Sequence, residues 1–326
     1  LRENNSEFFK KRISVANNYR FGALTSHMRF KRLHWAWPLL LILVSCSLPA
    51  EERQSAVSEV ASEYLFEQPD KVTILPDSLM EVSDLCWVGE DTLLAVQDEL
   101  GILFYLDANS GQILRKEPFG PPGDYEGVAS SGDTIFVLRS DGVVFEKTGD
   151  SVRSYDTGVP AKNNEGFCYD AQQHQLLIGP TSRAGKQPLL SAAKDIYAFD
   201  LKTHRLKETP AFSFDLDLLH DFAAAHDVDL PEHKAKKRNH SFSEIRFSIS
   251  GIALHPLTGE IWLISVKDQM LFVFDRQSRI RQLQYLPEES FVKPEGISFA
   301  TNGDLFISNE GRKGKPTVMR FRIQRE

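Results

Sequence analysis

The chain has 326 residues, of which 41% are hydrophobic and 25% charged, and a formal net charge of −7. That composition excludes a disordered or fibrous chain and supplies enough apolar material for a large core. Beyond residue 45 the chain keeps 30 basic and 43 acidic residues, a net −13, which argues against nucleic acid as a partner because that binding rests on neutralising phosphates.

Residues 1–27 are polar, show no apolar period and precede the first methionine, Met28. They read as upstream sequence outside the mature protein. Arg29, Lys31 and Arg32 then form a positive stretch, and Trp35 to Val44 an apolar one interrupted by Pro38. Such a run is too short to cross a bilayer of ~30 Å, which takes about 20 helical residues. The order of charge and apolar residues suits a cleaved export signal over 28–45. Leu43-Val44-Ser45-Cys46 resembles a bacterial lipobox, in which cleavage precedes the cysteine and its thiol is acylated. Cys46 is therefore the expected lipidation site, 46–63 the tether, and the outer membrane the favoured anchor.

From about residue 64 the sequence repeats. Five segments begin alike, at Val82-Ser83-Asp84-Leu85, Tyr125-Glu126-Gly127-Val128, Asn164-Glu165-Gly166-Phe167, Ile249-Ser250-Gly251-Ile252 and Pro294-Glu295-Gly296-Ile297. Each continues into an apolar run, a turn and a second run. The second runs are Thr92–Val96, Thr134–Leu138, Gln175–Ile178, Glu260–Ser265 and Asp304–Ser308. Alternating third runs follow at Ile102–Asp107, Val143–Lys147, Ile196–Asp200 and Leu271–Asp275, with Thr317–Arg322 in the fifth place. Starts at 83, 126, 165, 250 and 295 are 43, 39, 85 and 45 residues apart. Three of these spacings match one four-stranded propeller blade of ~40–50 residues. The long one predicts an insertion at about 183–249, with a short helix over 216–231 ended by Pro231 and a basic loop at 232–240.

The pattern predicts an all-β fold, a β-propeller in one domain over 64–326, with five blades favoured and six the alternative. The fifth repeat lacks an outer strand of its own, and Lys71–Leu75 is expected to supply it and close the ring. Cys86 and Cys168 hold equivalent positions with one blade between them, beyond the ~7 Å Cα separation of a disulfide, and read as core thiols. Trp87, Trp262 and Phe299 read as inter-blade core. His255 reads as a surface turn residue, and His220 and His226 as a solvated helix face.

At the Glu-Gly starts, at Asp98-Glu99 after the second run of the first repeat, and at Ser250-Gly-Ile-Ala-Leu-His-Pro-Leu-Thr-Gly-Glu260, the chain resembles the SdiA-regulated family of bacterial envelope propellers. The resemblance covers roughly 65–325. Ser83-Asp84 and Ser250-Gly251 depart from its Glu-Gly element. It implies five blades and, through one branch, a link to calcium response. It brings no catalytic residue set.

Propeller geometry places the starts and the loops after the second strands on one face. Glu126, Glu165 and Glu295 are thus expected around one channel mouth, with Asp98, Glu99, Asp141, Asp268, Asn309 and Glu310 on the same face. Crowded carboxylates raise one another's pKa unless a cation joins them. Ca²⁺, with 6–8 oxygen ligands, is the candidate cofactor, and Glu126, Glu165, Glu295, Asp98, Asn309 and Glu310 its candidate ligands. The competing reading makes the three Glu caps of strand ends, with Gly permitting the tight approach. No His or Cys cluster has zinc spacing, and no Gly-x-Ser-x-Gly element exists. Arg183 and Arg312, with Lys186 and Lys313, are candidate contacts for an anionic ligand.

Two functions stay open. One is a monomeric, membrane-anchored binding module for an ion, a small ligand or an envelope protein. The other is a metal-dependent hydrolase, phytase-like or lactonase-like, in which Ca²⁺ would polarise an oxygen and position water.

Overall fold

A computed structural model describes residues 64–181, 193–234, 241–243, 245–312 and 314–324. Five antiparallel sheets stand around one axis, each running outward from an innermost strand. Blade 1 comprises Val82–Gly89, Thr92–Gln97, Ile102–Asp107 and Ile113–Pro118, and blade 2 comprises Tyr125–Ser131, Thr134–Arg139, Val143–Thr148 and Ser151–Asp156. Blade 3 opens with Asn164–Asp170, Gln175–Pro180 and Ala193–Asp200. Blade 4 comprises Ile249–Leu254, Ile261–Ser265, Met270–Phe274 and Ile280–Tyr285. Blade 5 takes Pro294–Phe299, Leu305–Asn309 and Thr317–Phe321 from the end of the chain and Lys71–Ile74 from its start. The innermost strands neighbour one another in the order 1-2-3-4-5 and back to 1, so the ring is closed with five blades and the count of six is set aside.

Burial follows position in the blade. Second strands such as Thr134–Arg139 are buried almost throughout, whereas the outer strand Ser151–Asp156 is exposed. The core lies between blades. Leu94, Val96 and Leu103 of blade 1 meet Val128, Ile135 and Val137 of blade 2, and Trp262 of blade 4 meets Ile297 and Phe299 of blade 5. Each such side chain contributes roughly 1.5–3 kcal/mol when fully buried.

The N-terminal strand closes the ring as the sequence predicts, with Lys71 opposite Arg320 and Ile74 opposite Thr317. Blade 3 differs from expectation. Its third strand, Ala193–Asp200, contains the expected run Ile196–Asp200, so the span assigned to the insertion starts too early, and its outer strand is split into Arg205–Leu206 and Phe212–Asp215, both pairing with Ala193–Asp200. The helix is shorter than predicted, Leu216–Ala225, capped by Asp215, whose side chain accepts from the Asp217 amide at 2.9 Å. Leu216, Leu219 and Ala223 dock it on the core at the blade 3–4 junction. The apolar period stops at Ala225, so Pro231 terminates nothing.

The recurrent glycines owe their place to steric fit between blades. None of Gly127, Gly166, Gly251 and Gly296 has positive φ. A Cβ at Gly127 would stand 2.3 Å from Phe167 Cβ, and one at Gly251 would stand 2.3 Å from the Glu295 carbonyl oxygen. Backbone cannot yield as a flexible side chain can. Gly251→Ala is therefore expected to destabilise by about 1–3 kcal/mol or more through overpacking, read as a lowered urea midpoint. An unchanged midpoint would mean the ring expands there freely. Blade 1 carries Asp84 at the equivalent position. Its buried carboxylate accepts the Val128 amide of blade 2 at 2.9 Å, so one side chain ties neighbouring inner strands.

On the face carrying the first hairpin turns, His255 is 1% exposed and not a surface residue. The Leu257 and Thr258 amides donate to Nδ1, which places the ring proton on Nε2, 3.0 Å from Tyr64 Oη. Tyr64 in turn donates to the Gly303 carbonyl. Trp262 and Phe299 pack around this pair. The sequence shows a Leu-His-Pro turn but not the aromatic residue from 191 positions upstream that covers it. Burial lowers the His255 pKa to about 4 from a usual 6.5. A histidine depressed in the folded state contributes full stability above pH 6.5 and loses it as pH falls toward 4. The loss is roughly 3 kcal/mol at 1.36 kcal/mol per unit. Wild-type stability is expected to fall across that window more steeply than that of His255→Asn, measured by denaturant unfolding at several pH values. Parallel acid limbs would exclude His255 as the source.

Candidate functional site at the channel mouth

The side chains at the channel mouth are aimed there by one local device. Each innermost strand pairs with its neighbour out of register at its start, between Val82 and Asp84, Tyr125 and Gly127, Asn164 and Gly166, Ile249 and Gly251, and Pro294 and Ile297. The skipped residues include Ser83, Glu126, Glu165, Ser250 and Glu295, so each start is a β-bulge. A bulge leaves one residue unpaired and re-aims its side chain. The glutamates thus occupy bulges at the strand starts.

Glu126, Glu165, Glu295, Asp98, Glu310 and Arg312 line one cavity of about 510 Å³. Lining residues that sequence reasoning did not single out include Lys293, Ser248, Lys267 and Gln269. Lys293 lies two residues before Glu295, with its Nζ 2.7 Å from Glu295 Oε1 and also bonded to Glu310. Ser248, Lys267 and Gln269 come from blade 4. The repeat offered a signal, since Lys293 and Ser248 hold the same offset from their bulges, but their residue types matched nothing.

Other expected members lie elsewhere. Asn309 does not line the cavity; it is buried, and its Nδ2 donates to Thr317 Oγ1 at 3.3 Å. Asp141 pairs with Arg139 at 2.8 Å. Asp268 turns inward, accepting from the Arg246 and Phe247 amides at 2.9 and 2.7 Å and from Ser265 Oγ at 2.6 Å. Their second-strand positions were legible, but side-chain direction at a strand end depends on local pairing. Arg183, Lys186 and Lys313, like Cys46 and the signal segment, lie outside the described residues.

Burial dominates the electrostatics. It raises the Glu126 pKa to about 9, with Glu165 and Asp124 adding repulsion. Burial also raises Glu165 to about 7, opposed by Lys267 and Lys293, and Glu295 to about 8, opposed by Lys293. Asp98 rises to about 6 through burial and the neighbouring Glu81. At neutral pH the Lys293 ammonium 2.7 Å from Glu295 favours the charged form of that carboxyl, whereas Glu126 holds its proton. Carboxyl groups in this condition serve as hydrogen-bond donors or surrender the proton to an incoming cation.

The donor set is all oxygen, which suits a hard cation. Among the described residues one trio brings ligand atoms within 4.8 Å of one another, Glu81, Asp98 and Glu99, beside the cavity. Glu126, Glu165 and Glu295 do not converge so closely. Part of the neutralisation assigned to Ca²⁺ from the sequence is performed by Lys293.

Deeper in the channel a space of about 130 Å³ is lined by Cys86, Cys168, Trp87 and Tyr169, among others. The two cysteines are free, and burial raises both thiols well above their ordinary range. Trp87 stacks on Phe306 at 5.6 Å.

A family model described as SdiA-regulated matches residues 62–313. No curated protein matches the chain. Among solved structures, the chain is similar to a glutaminyl cyclase of Myxococcus xanthus at 14% identity, covering 79% of this chain and 96% of that one, with a TM-score of 0.49. It is also similar to a streptogramin B lyase, at 12% identity over 77% and 97% of the two chains with a TM-score of 0.43. A virginiamycin B lyase of Staphylococcus aureus follows at 10% identity over 78% and 74%, TM-score 0.39. Likeness at this level transfers no activity.

Proposed function

We propose, for a chain that belongs to the SdiA-regulated family, that it is an extracytoplasmic binding propeller whose channel mouth takes a cation, with Ca²⁺ as that cation. The gathering of Asp98, Glu126, Glu165 and Glu295 around one cavity carries this reading. Asp98, with Glu81 and Glu99, supplies the closest oxygen trio, and Glu126 and Glu165 complete the negative side as they lose their protons. Ca²⁺ would offset the burial penalty, and the smaller repulsion, that keep those protons in place; the protein's own part is to fix the carboxyls on rigid bulged strands. The positive and apolar stretches before Leu43-Val44-Ser45-Cys46 support anchoring through Cys46. The partner in this reading is a small ligand or another envelope protein.

Glu126 also favours a second reading. A carboxyl that is protonated at neutral pH in a polar cavity has the property required of a general acid. A hydrolase would turn over lactones or phosphate esters in a metal-dependent way.

Calorimetric titration of Ca²⁺ into the purified protein separates these. Binding is expected in the parent and weakened at least about thirtyfold in Glu126→Gln/Glu165→Gln and in Asp98→Asn, as removal of charged ligands lowers Ca²⁺ affinity. Absence of binding by the parent would sink the calcium reading. Ca²⁺-dependent turnover lost in Glu126→Gln would favour the hydrolase.

A further inference from the structure

The cavity is much larger than one ion requires. At about 510 Å³ it lies in the range of small-molecule sites. Its charge is also divided by sector. Asp98, Glu126 and Glu165 come from blades 1, 2 and 3. Lys267, Lys293 and Arg312 come from blades 4 and 5, where Lys293 compensates Glu295 and Glu310 and the Arg312 Nε lies 3.6 Å from Glu310, which leaves Lys267 as the cation without an acidic partner among the described ion pairs. Glu288 lines the connection between those two blades. Among the described residues the lining is polar and charged apart from Val266 and Val292, with no aromatic ring.

Ser248 adds an independent observation. It is 2% exposed, lines the cavity, and its Oγ has no hydrogen-bond partner among the described residues. Its position is built: the Ser248 amide donates to Ser265 Oγ at 2.9 Å, and Asp268 holds the two preceding amides, with Phe247 in the left-handed region at φ 50°. A buried hydroxyl without a partner costs free energy unless a ligand satisfies it.

We infer that the cavity binds a small zwitterion, with its ammonium among Asp98, Glu126 and Glu165 and its carboxylate toward Lys267, Arg312 and the Ser248 hydroxyl. The inference rests on the channel mouth being the ligand site, but not on Ca²⁺ being the ligand. A primary ammonium offers three donors to carboxyl oxygens, and the carboxylate accepts from Ser248 and pairs with the guanidinium. The carboxyls raised by burial ionise when the ammonium arrives.

The experiment titrates the purified protein with glycine, 4-aminobutyrate and 6-aminohexanoate, which separate the two charges by increasing lengths. Butylamine and butyrate serve as single-charge controls. The expected result is an optimum at one length, at least about tenfold tighter than either control, with about tenfold weakening in Ser248→Ala and in Lys267→Met, a loss on the scale of one hydrogen bond to a charged group. Lys267 is exposed, so its variant tests the site even if Ser248→Ala unfolds. Absence of binding across the series, equal binding by butylamine alone, or two folded variants that bind as the parent does would each overturn the inference. Ca²⁺ titrated separately distinguishes the two readings. Calcium binding without zwitterion binding removes this inference and leaves the calcium site. Zwitterion binding without calcium binding does the reverse.

Discussion

Asp170→Ala is expected to lose about 3–5 kcal/mol of stability, the usual result of stripping one partner from a buried ion pair. Asp170 is fully buried at the end of the innermost strand of blade 3. Arg276, from the turn after the third strand of blade 4, reaches it with Nη1 at 2.7 Å and Nη2 at 3.2 Å, while its Nε donates to the Gly259 carbonyl. Gln175 and the Gln172 amide complete the acceptor bonds of the carboxylate. The clamp crosses a blade boundary, so its loss leaves a guanidinium without its counter-charge and loosens the seam between blades 3 and 4. Denaturant unfolding of the single variants and of Asp170→Leu/Arg276→Met would check this. The double variant should recover much of the loss, since replacing both charges removes the uncompensated one. Equal losses in single and double variants would mean that packing, not charge, sets the effect.

The second large effect has the opposite sign. Glu126→Gln is expected to stabilise the protein at pH 8 by about 1–3 kcal/mol, allowing for solvent screening of a partly buried group. The folded carboxyl titrates near 9, while in the unfolded chain it titrates near 4.5. Below pH 4.5 both states hold the proton and the residue is neutral to stability. As pH rises above 4.5 the unfolded state releases its proton and the folded state does not, so wild-type stability declines until the pH passes about 9. Glutamine removes that decline. Comparing wild type and variant at pH 5 and pH 8 should show convergence at the lower value and a gain at the higher. A variant destabilised at both would show that Glu126 is an architectural part of its bulge.

Much of the architecture was readable because blades are local in sequence. The strand-turn-strand runs, the five bulged starts and the closing strand at Lys71 all carry period-2 patterning and turn residues within a few tens of positions. The carboxyl ring was readable for the same reason, since equivalent positions in a repeat return to the same face. What escaped depends on ring closure. The Asp170–Arg276 clamp joins residues 106 apart, and the Tyr64–His255 bond joins residues 191 apart. Neither follows from a repeat. Lys293 and Ser248 stood at the right offset, but a lysine among glutamates and an isolated serine show their role only when distances are known. Asn309 and Asp268 were misplaced because neighbouring pairing, rather than repeat position, sets which way a strand-end side chain turns.

The closing strand has a consequence for how the chain reaches its folded state. The Arg322 amide bonds the Asp70 carboxylate across 252 residues, and among the described strands Lys71–Ile74 pairs only with Thr317–Phe321. During synthesis the first of the described strands to be made is thus the last to find its partner. Until then it is an unpaired edge, and the blade 4–5 seam lacks Tyr64 and Phe66. Contacts of such sequence separation slow the final step, because loop closure precedes the reward of pairing. Completion belongs to the moment after Thr317–Phe321 emerges, and a chain shortened before Thr317 leaves an open ring with two sticky ends.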